Sequence, residues 1–377
     1  MKCISVVQPT IPSYRLGLFN RLSSRLGPRF KVYASYQNLG VLTATQNKYC
    51  WARKLGPSRL IMPGLYWQSG VLSLPLERGD VLVVSGAPRT VSNIALIIKA
   101  KIKGAKTIWW GHYWSGTSRL WRSVIRFFLM NLADGILFYS EREISEYRTS
   151  AWRLSAKPVF ALNNGIETAQ IASLRAPYMA AKRLNRILFI GRITKKAEIG
   201  TLLRALAAYE CRSVQLDIIG DGEELNAAKE LAKDLGIERR IHWHGGTTDE
   251  ATISAIANRC RLFVYPGSVG LSLIHGLAYG LPAIVHDDRW KQMPEIDALE
   301  PGVNGWTFPR TDAAVLARII ADALADLTRL DKMSAASILA TTNSYNMEDM
   351  LLRFCAALES MHPGISTNTD PRIGANS

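Results

Sequence analysis

Residues 262–285 read LFVYPGSVGLSLIHGLAYGLPAIV. A run of branched and aromatic residues ends at Pro266, a glycine loop carries Gly267 and Gly270, and a short apolar helical stretch leads into the next strand-like run. In that order the first N–H groups of the helix lack partners, so Gly270, Leu271 and Ser272 would present theirs towards an anion. Two earlier runs end in the same way. RILFIGR (186–192) stops at Gly191 and Arg192 with Lys195 and Lys196 just beyond, and LDIIG (216–220) runs into Gly220, Asp221 and Gly222. Ligands of open α/β sheets bind outside the carboxyl ends of the strands, so these turns are where the chemistry is expected.

The alternation continues on both sides. Strands are expected at 186–192, 214–220, 241–245, 262–266 and 282–287, and nearer the amino terminus at 4–8, 30–36, 80–86, 107–112, 135–140 and 159–163. Helical patterns lie between several of them, for example Leu16, Phe19, Leu22 and Leu26, then 91–103. Such alternation argues parallel sheets covered by helices on both faces. Residues 168–185 are polar and basic, contain Pro177, and precede a restart of the pattern. They mark the expected boundary between an amino-terminal Rossmann-like domain over 1–180 and a carboxyl-terminal one over 186–345. The 377 residues suit that division at roughly 150 residues per domain.

With 48% hydrophobic and 20% charged residues the chain is neither disordered nor fibrous. The apolar run before Pro9 is too short for a signal peptide, and the best spanning candidate, 124–139, contains Arg126, Asn131 and Asp134. The expectation is a cytoplasmic protein without a spanning helix. Cys3, Cys50, Cys211, Cys260 and Cys355 lie far apart with no CxxC or CxxH pair, so they read as reduced and structural rather than zinc-binding. Residues beyond Met361 read as a loose tail.

Charge is shared unevenly. Residues 1–185 hold 26 lysines and arginines against 7 acids, and the remainder holds 20 against 24. Only the first part seeks an anion. It also contains seven of the ten tryptophans, and 119–132 (RLWRSVIRFFLMNL) spaces Arg119, Arg122 and Arg126 along one helical face. Such a face suits an anionic membrane, a lipid-linked phosphate or nucleic acid, and equally a solvated helix with its apolar side in a core.

Five motifs carry a resemblance. GRITKKAEIGTLLRAL (191–206), IIGDG (218–222), ELAKDLGIERRIHWHG (230–245), GLSLIHGLAYGLPAIV (270–285) and QMPEIDALEPGVNGWTF (292–308) stand in the order found in family 4 retaining glycosyltransferases. The chain resembles that family over about 186–310. The resemblance implies the GT-B fold, α/β with two Rossmann-like doubly wound domains facing each other across a cleft. Two departures stand out. The family's paired glutamates correspond to Gly267 and His275, as in a variant subgroup with histidine in place of the second glutamate. Its lysine after the Gly-Arg turn falls on Ala197, so either Lys196 substitutes or that lysine is missing.

In the first domain PTIPSYRLGLFNRL (9–22), SGAPRT (85–90) and WWGHYWSG (109–116) follow strands. His112 matches a histidine that relatives present near the donor sugar, or is a core residue beside three tryptophans. Arg15 and Arg89 are candidates for phosphate or acceptor contacts.

The resemblance implies transfer of a hexose from a nucleoside diphosphate sugar to an acceptor hydroxyl with retention. The acceptor expected from the charge is a lipid-linked saccharide of surface or exopolysaccharide synthesis, reached by peripheral attachment to the inner face of the membrane. His112, Arg192 and Lys196 are the catalytic candidates. Gly191, Gly220, Gly267, Gly270, Leu271, Ser272, His275 and Glu295 are the donor-binding ones. Charge on the departing diphosphate would meet Arg192, Lys196 and the helix N–H groups. No D-x-D motif occurs, so no metal or other cofactor is expected. Helix 346–361 is expected to pack back on the first domain. A non-catalytic sugar-nucleotide binder and a nucleic-acid binder are the alternatives, the second weakened by the lack of a DNA-reading or RNP-like motif.

Overall fold

The computed structural model describes residues 2–35, 49–113, 120–150, 153 and 156–365, without the side chains of 120–122. Arg119, the side chains of Trp121 and Arg122, and tail residues 366–377 lie outside the described residues. The chain divides into two compact units, Met1–Asn163 with Met350–Ser377, and Asn164–Asp349.

In the first unit the order is β1 (Ile4–Gln8), α1 (Leu16–Leu26), β2 (Phe30–Ala34), β3 (Ala52–Lys54), β4 (Ser58–Met62), β5 (Leu65–Gln68), β6 (Val81–Ser85), α2 (Ser92–Ile102), β7 (Lys106–Trp110), α3 (Leu120–Leu132), β8 (Gly135–Phe138), α4 (Glu141–Arg148) and β9 (Val159–Ala161). Seven strands form one parallel sheet, β3-β2-β1-β6-β7-β8-β9. Its inner strands β1 and β6 are mostly apolar and buried on both faces, as expected of parallel strands covered on each side. β4 and β5 stand apart as an antiparallel hairpin, unanticipated in the sequence, with Arg59 opposite Trp67 and Leu60 opposite Tyr66.

The second unit continues with α5 (Thr168–Leu174), β10 (Arg186–Ile190), α6 (Ile199–Ala207), β11 (Gln215–Ile219), α7 (Leu225–Asp234), β12 (Ile241–Trp243), α8 (Glu250–Ala257), β13 (Leu262–Tyr265), α9 (Leu271–Ala278), β14 (Ala283–His286), β15 (Gly305–Phe308), α10 (Ala313–Ala325) and α11 (Leu327–Asn343). Its six strands are parallel in the order β12-β11-β10-β13-β14-β15. Each sheet changes winding direction at an inner pair, β1 and β6 in one, β10 and β13 in the other. Such a switch point leaves a crevice at the strands' carboxyl ends.

The last helix, α12 (Met347–Met361), belongs from Met350 onward to the first unit. Phe354 meets the Trp110 ring edge-on at 5.6 Å between centroids. Gly135 leaves room for Met361, whose Cε lies 2.8 Å from where a Cβ would stand.

Two expectations are corrected. The units divide at Asn163 and Asn164 rather than within 168–185. Ile171 and Ala180 are buried in the second unit's core, Arg175 donates to the Ala278 carbonyl, and Arg183 donates to the carbonyls of Ala257 and Cys260. That polar stretch is therefore tied down rather than a linker. The second correction concerns α3, whose Arg126 is buried and donates to the Tyr113 carbonyl at 3.3 Å. Burial lowers its pKa, with the Glu143 carboxylate opposing. Leu129 is buried too, and only Phe128 and Val124 are large exposed apolar groups of this helix among the described residues. Arg126 and Leu129 therefore do not form an outward basic, apolar face.

Candidate functional site

At the β10/β13 switch point the glycines are explained by how closely three strand ends approach. A Cβ on Gly220 would stand 1.9 Å from the Gly191 carbonyl oxygen. The Gly191 N–H bonds the Ile219 carbonyl at 2.9 Å, and the Ile193 N–H bonds Asp221 at 2.9 Å. Main chain is thus locked to main chain, and the next residue, Arg192, is exposed above it. Burial pushes the nearby Tyr265 hydroxyl up to about 12, with Arg192 pulling the other way.

The second approach involves Gly267. A Cβ there would meet the Lys196 carbonyl oxygen at 2.1 Å and the Ala197 carbonyl carbon at 2.5 Å. The Ser268 N–H bonds the same Lys196 carbonyl at 2.9 Å, and Ala197 is fully buried. Lysine 195 and lysine 196 remain exposed beside this clamp. The loop leads into α9, whose first residue follows Gly270 with no side chain capping the helix end. The N–H groups of Gly270, Leu271 and Ser272 open the helix, and the Ser272 Oγ lies 3.0 Å from the Cβ position of Gly191.

Glu295 approaches the same helix end. It is buried in the turn Pro294–Ala298, its Oε1 accepts from Asn164 Nδ2 at 2.8 Å, and its Oε2 is 3.7 Å from the Cβ position of Gly270. Gln292 supports the loop by accepting the Val269 N–H at 2.8 Å and donating to the His286 carbonyl at 2.9 Å.

His275, one turn into α9, is held from the side by α8. Its Nε2 lies 2.9 Å from Glu250 Oε1, and the Tyr279 hydroxyl donates to the same oxygen. Burial pushes the Glu250 carboxyl up, but the bond from His275 and that from Tyr279 outweigh it and leave the group below its ordinary value. His275 therefore ties α9 to α8 through one ring nitrogen.

In the first unit a second cluster gathers at the carboxyl ends of β1, β7 and β8. The buried Glu143 carboxylate accepts the N–H groups of Tyr113 and Tyr139, each at 2.9 Å. It lies 3.6 Å from His112 Nδ1, and the His112 and Tyr139 rings are 4.3 Å apart. His112 is thus half-exposed and braced rather than a core residue. Arg15 is buried, donating to Gln8 Oε1 at 2.7 Å and the Tyr139 hydroxyl at 2.8 Å, with its guanidinium 4.3 Å from the Trp110 ring centre. It thereby positions Tyr139 and Gln8 with one N–H of each terminal nitrogen. Arg89 lies half-buried in the loop after β6, where its carbonyl accepts the Tyr66 N–H at 2.7 Å.

Glu143, Tyr139, Gln8, Glu250, Gln292 and Asn164 were not singled out in the sequence. One signal was available for Glu143, because Ser140 and Glu143 have the spacing of a capping box at the start of α4. Among the described residues, no three His, Cys, Asp or Glu residues are grouped to hold a metal ion.

Residues 171–338, a little under half of the chain, match the family described as Glycosyl transferases group 1. An uncharacterized glycosyltransferase of Haemophilus influenzae is 28% identical over 218 residues, 55% of this chain and 57% of that protein. The lipopolysaccharide 1,6-galactosyltransferase of Salmonella typhimurium is 32% identical over 95 residues, 24% of this chain and 26% of that protein. The matched region thus spans little more than half of the first relative and about a quarter of the second. Among solved structures, Anabaena Alr3699/HepE in complex with UDP superposes with a TM-score of 0.69 at 16% identity, covering 96% of this chain and all of the other. The fold is therefore GT-B, built of two parallel α/β sheets.

Proposed function

We propose that this protein is a retaining hexosyltransferase that binds a nucleoside diphosphate sugar at the β10/β13 switch point and passes the sugar to an acceptor hydroxyl. The observation that carries the reading is the uncapped start of α9 beside Arg192, set over a main-chain clamp that only glycine permits. As the glycosidic bond breaks, negative charge grows on the leaving diphosphate while the sugar becomes cationic. In this reading Arg192, the Lys196 ammonium and the N–H groups of Gly270, Leu271 and Ser272 take up that charge. Glu295, anchored by Asn164 beside Gly270, offers acceptor oxygens to sugar hydroxyls. His275 uses its remaining ring nitrogen on a ribose hydroxyl. In the first unit His112, braced by Glu143, is the group for the reacting sugar.

A lipid-linked saccharide is the proposed acceptor, approached from the cytoplasmic face of a membrane. The basic first unit and the lipopolysaccharide-directed name of the Salmonella relative support it. Among the described residues no helix is long and apolar enough to cross a membrane. Thermal stabilisation across a panel of UDP and GDP sugars tests the donor. A rise in melting temperature with one nucleotide class is expected, and no rise with any would reject the site. Stabilisation without release of nucleoside diphosphate would favour a non-catalytic binder.

A further inference from the structure

Residues 1–76 contain ten lysines and arginines and no aspartate or glutamate; the first acid is Glu77. The β4–β5 hairpin belongs to this acid-free segment. β5 is its anchored strand: the Val91 N–H bonds the Tyr66 carbonyl at 2.9 Å, the Tyr66 N–H bonds Arg89, and the Gln68 N–H bonds Ser92 Oγ at 3.1 Å. β4 is the outer strand, paired with β5 alone among the described residues. Its Leu60, Ile61 and Met62 are 61%, 50% and 61% exposed. Three consecutive large apolar side chains in water are a liability unless something covers them.

The surrounding charge says what covers them. Arg53 and Lys54 on the preceding β3 and Arg59 on β4 are exposed, and the segment supplies no acid to pair with them. A second copy presenting the same hairpin would bring one acid-free segment against another, and like charges across an interface oppose association. An anionic bilayer offers phosphate to the cations and an acyl boundary to the apolar tip.

We infer that the β4–β5 hairpin is a membrane-docking element in which Leu60, Ile61 and Met62 enter the acyl boundary of an anionic bilayer while Arg53, Lys54 and Arg59 contact its headgroups. It takes the place of the α3 face, whose Arg126 and Leu129 are interior. β5 is fastened to the loop after β6, at the carboxyl end of the sheet where His112 follows the neighbouring β7, so docking brings that end of the strands to the membrane surface. The inference rests on the lipid-linked acceptor for its purpose, though not for its test.

The test is co-sedimentation of the full chain with vesicles of phosphatidylglycerol and phosphatidylcholine in low salt. Wild type is expected to bind, and to bind pure phosphatidylcholine weakly. L60S/I61S/M62S should weaken binding on the order of 100-fold with its melting temperature unchanged, since these side chains already face water. R53Q/K54Q/R59Q should weaken it by roughly tenfold or more and flatten the salt dependence. This second variant decides the matter if the serine variant fails to fold. Equal binding by wild type and both variants, or no binding by wild type, overturns the inference. A wild-type dimer that the serine variant converts to monomer overturns it too, in favour of self-association. Vesicle binding without stabilisation by any nucleotide sugar would reject the glycosyltransferase reading and leave the hairpin standing; the converse would reject the hairpin alone.

Discussion

The carbonyl oxygen of Lys196 stands 2.1 Å from where a Cβ on Gly267 would be, with the Ala197 carbonyl carbon 2.5 Å away. The main chain at 196–197 occupies the space that a side chain at 267 would need. Ala197 is buried while Lys195 and Lys196 stay exposed, and the Ser268 N–H holds the Lys196 carbonyl at 2.9 Å.

A side chain at position 267 should therefore harm the protein. Gly267→Ala should cost about 1 to 3 kcal/mol through displaced main chain, and Gly267→Glu at least as much. Chemical denaturation measures both. A Gly267→Glu variant as stable as wild type would show that the clamp yields easily.

Glu250 gives a pH signature. Its carboxyl lies below the ordinary value in the native state, so its ionised form adds stability above the unfolded pKa of about 4.3. That contribution should fade as pH falls from there through the lower native value. Glu250→Gln should flatten the acid limb of the stability curve, as read by denaturation at successive pH values. His275→Ala removes the charged carboxylate's partner and should cost about 1 to 2 kcal/mol while weakening donor affinity. Lost stability with unchanged affinity would assign His275 to the α8–α9 tie alone.

Arg126 separates α3 from the hairpin. Because its side chain is interior and bonded to Tyr113, Arg126→Ala should destabilise the fold by about 1 to 3 kcal/mol and leave vesicle binding as in wild type. Unchanged stability with lost vesicle binding would return the membrane contact to α3.

What was legible in the sequence was whatever main-chain geometry imposes on composition. Apolar runs ending in glycine located β10, β11 and β13 and the turns at Gly191, Gly220 and Gly267, because close main-chain approach leaves no alternative residue. Side-chain direction was not legible. Helical spacing put Arg122 and Arg126 on one face, yet it could not reveal that the Tyr113 carbonyl draws Arg126 inward. His112 and Glu143 meet from different strand ends, and periodicity within either segment does not record that contact. The hairpin was missed although Pro63 and Gly64 signal a turn, since apolar Leu60, Ile61 and Met62 do not alternate as a half-buried strand would.

The most direct measurement is release of nucleoside diphosphate by wild type and Arg192→Ala, with the sugar nucleotide that stabilises the protein best and a lipid-linked acceptor. Wild type is expected to turn over. A loss of about 2.7 to 4 kcal/mol of transition-state stabilisation is expected in Arg192→Ala, a few hundredfold in rate, with the fold intact. Lys196→Ala measured beside it reports whether that ammonium shares the charge. Equal rates for wild type and Arg192→Ala would contradict the assignment of the departing diphosphate to the β10/β13 switch point.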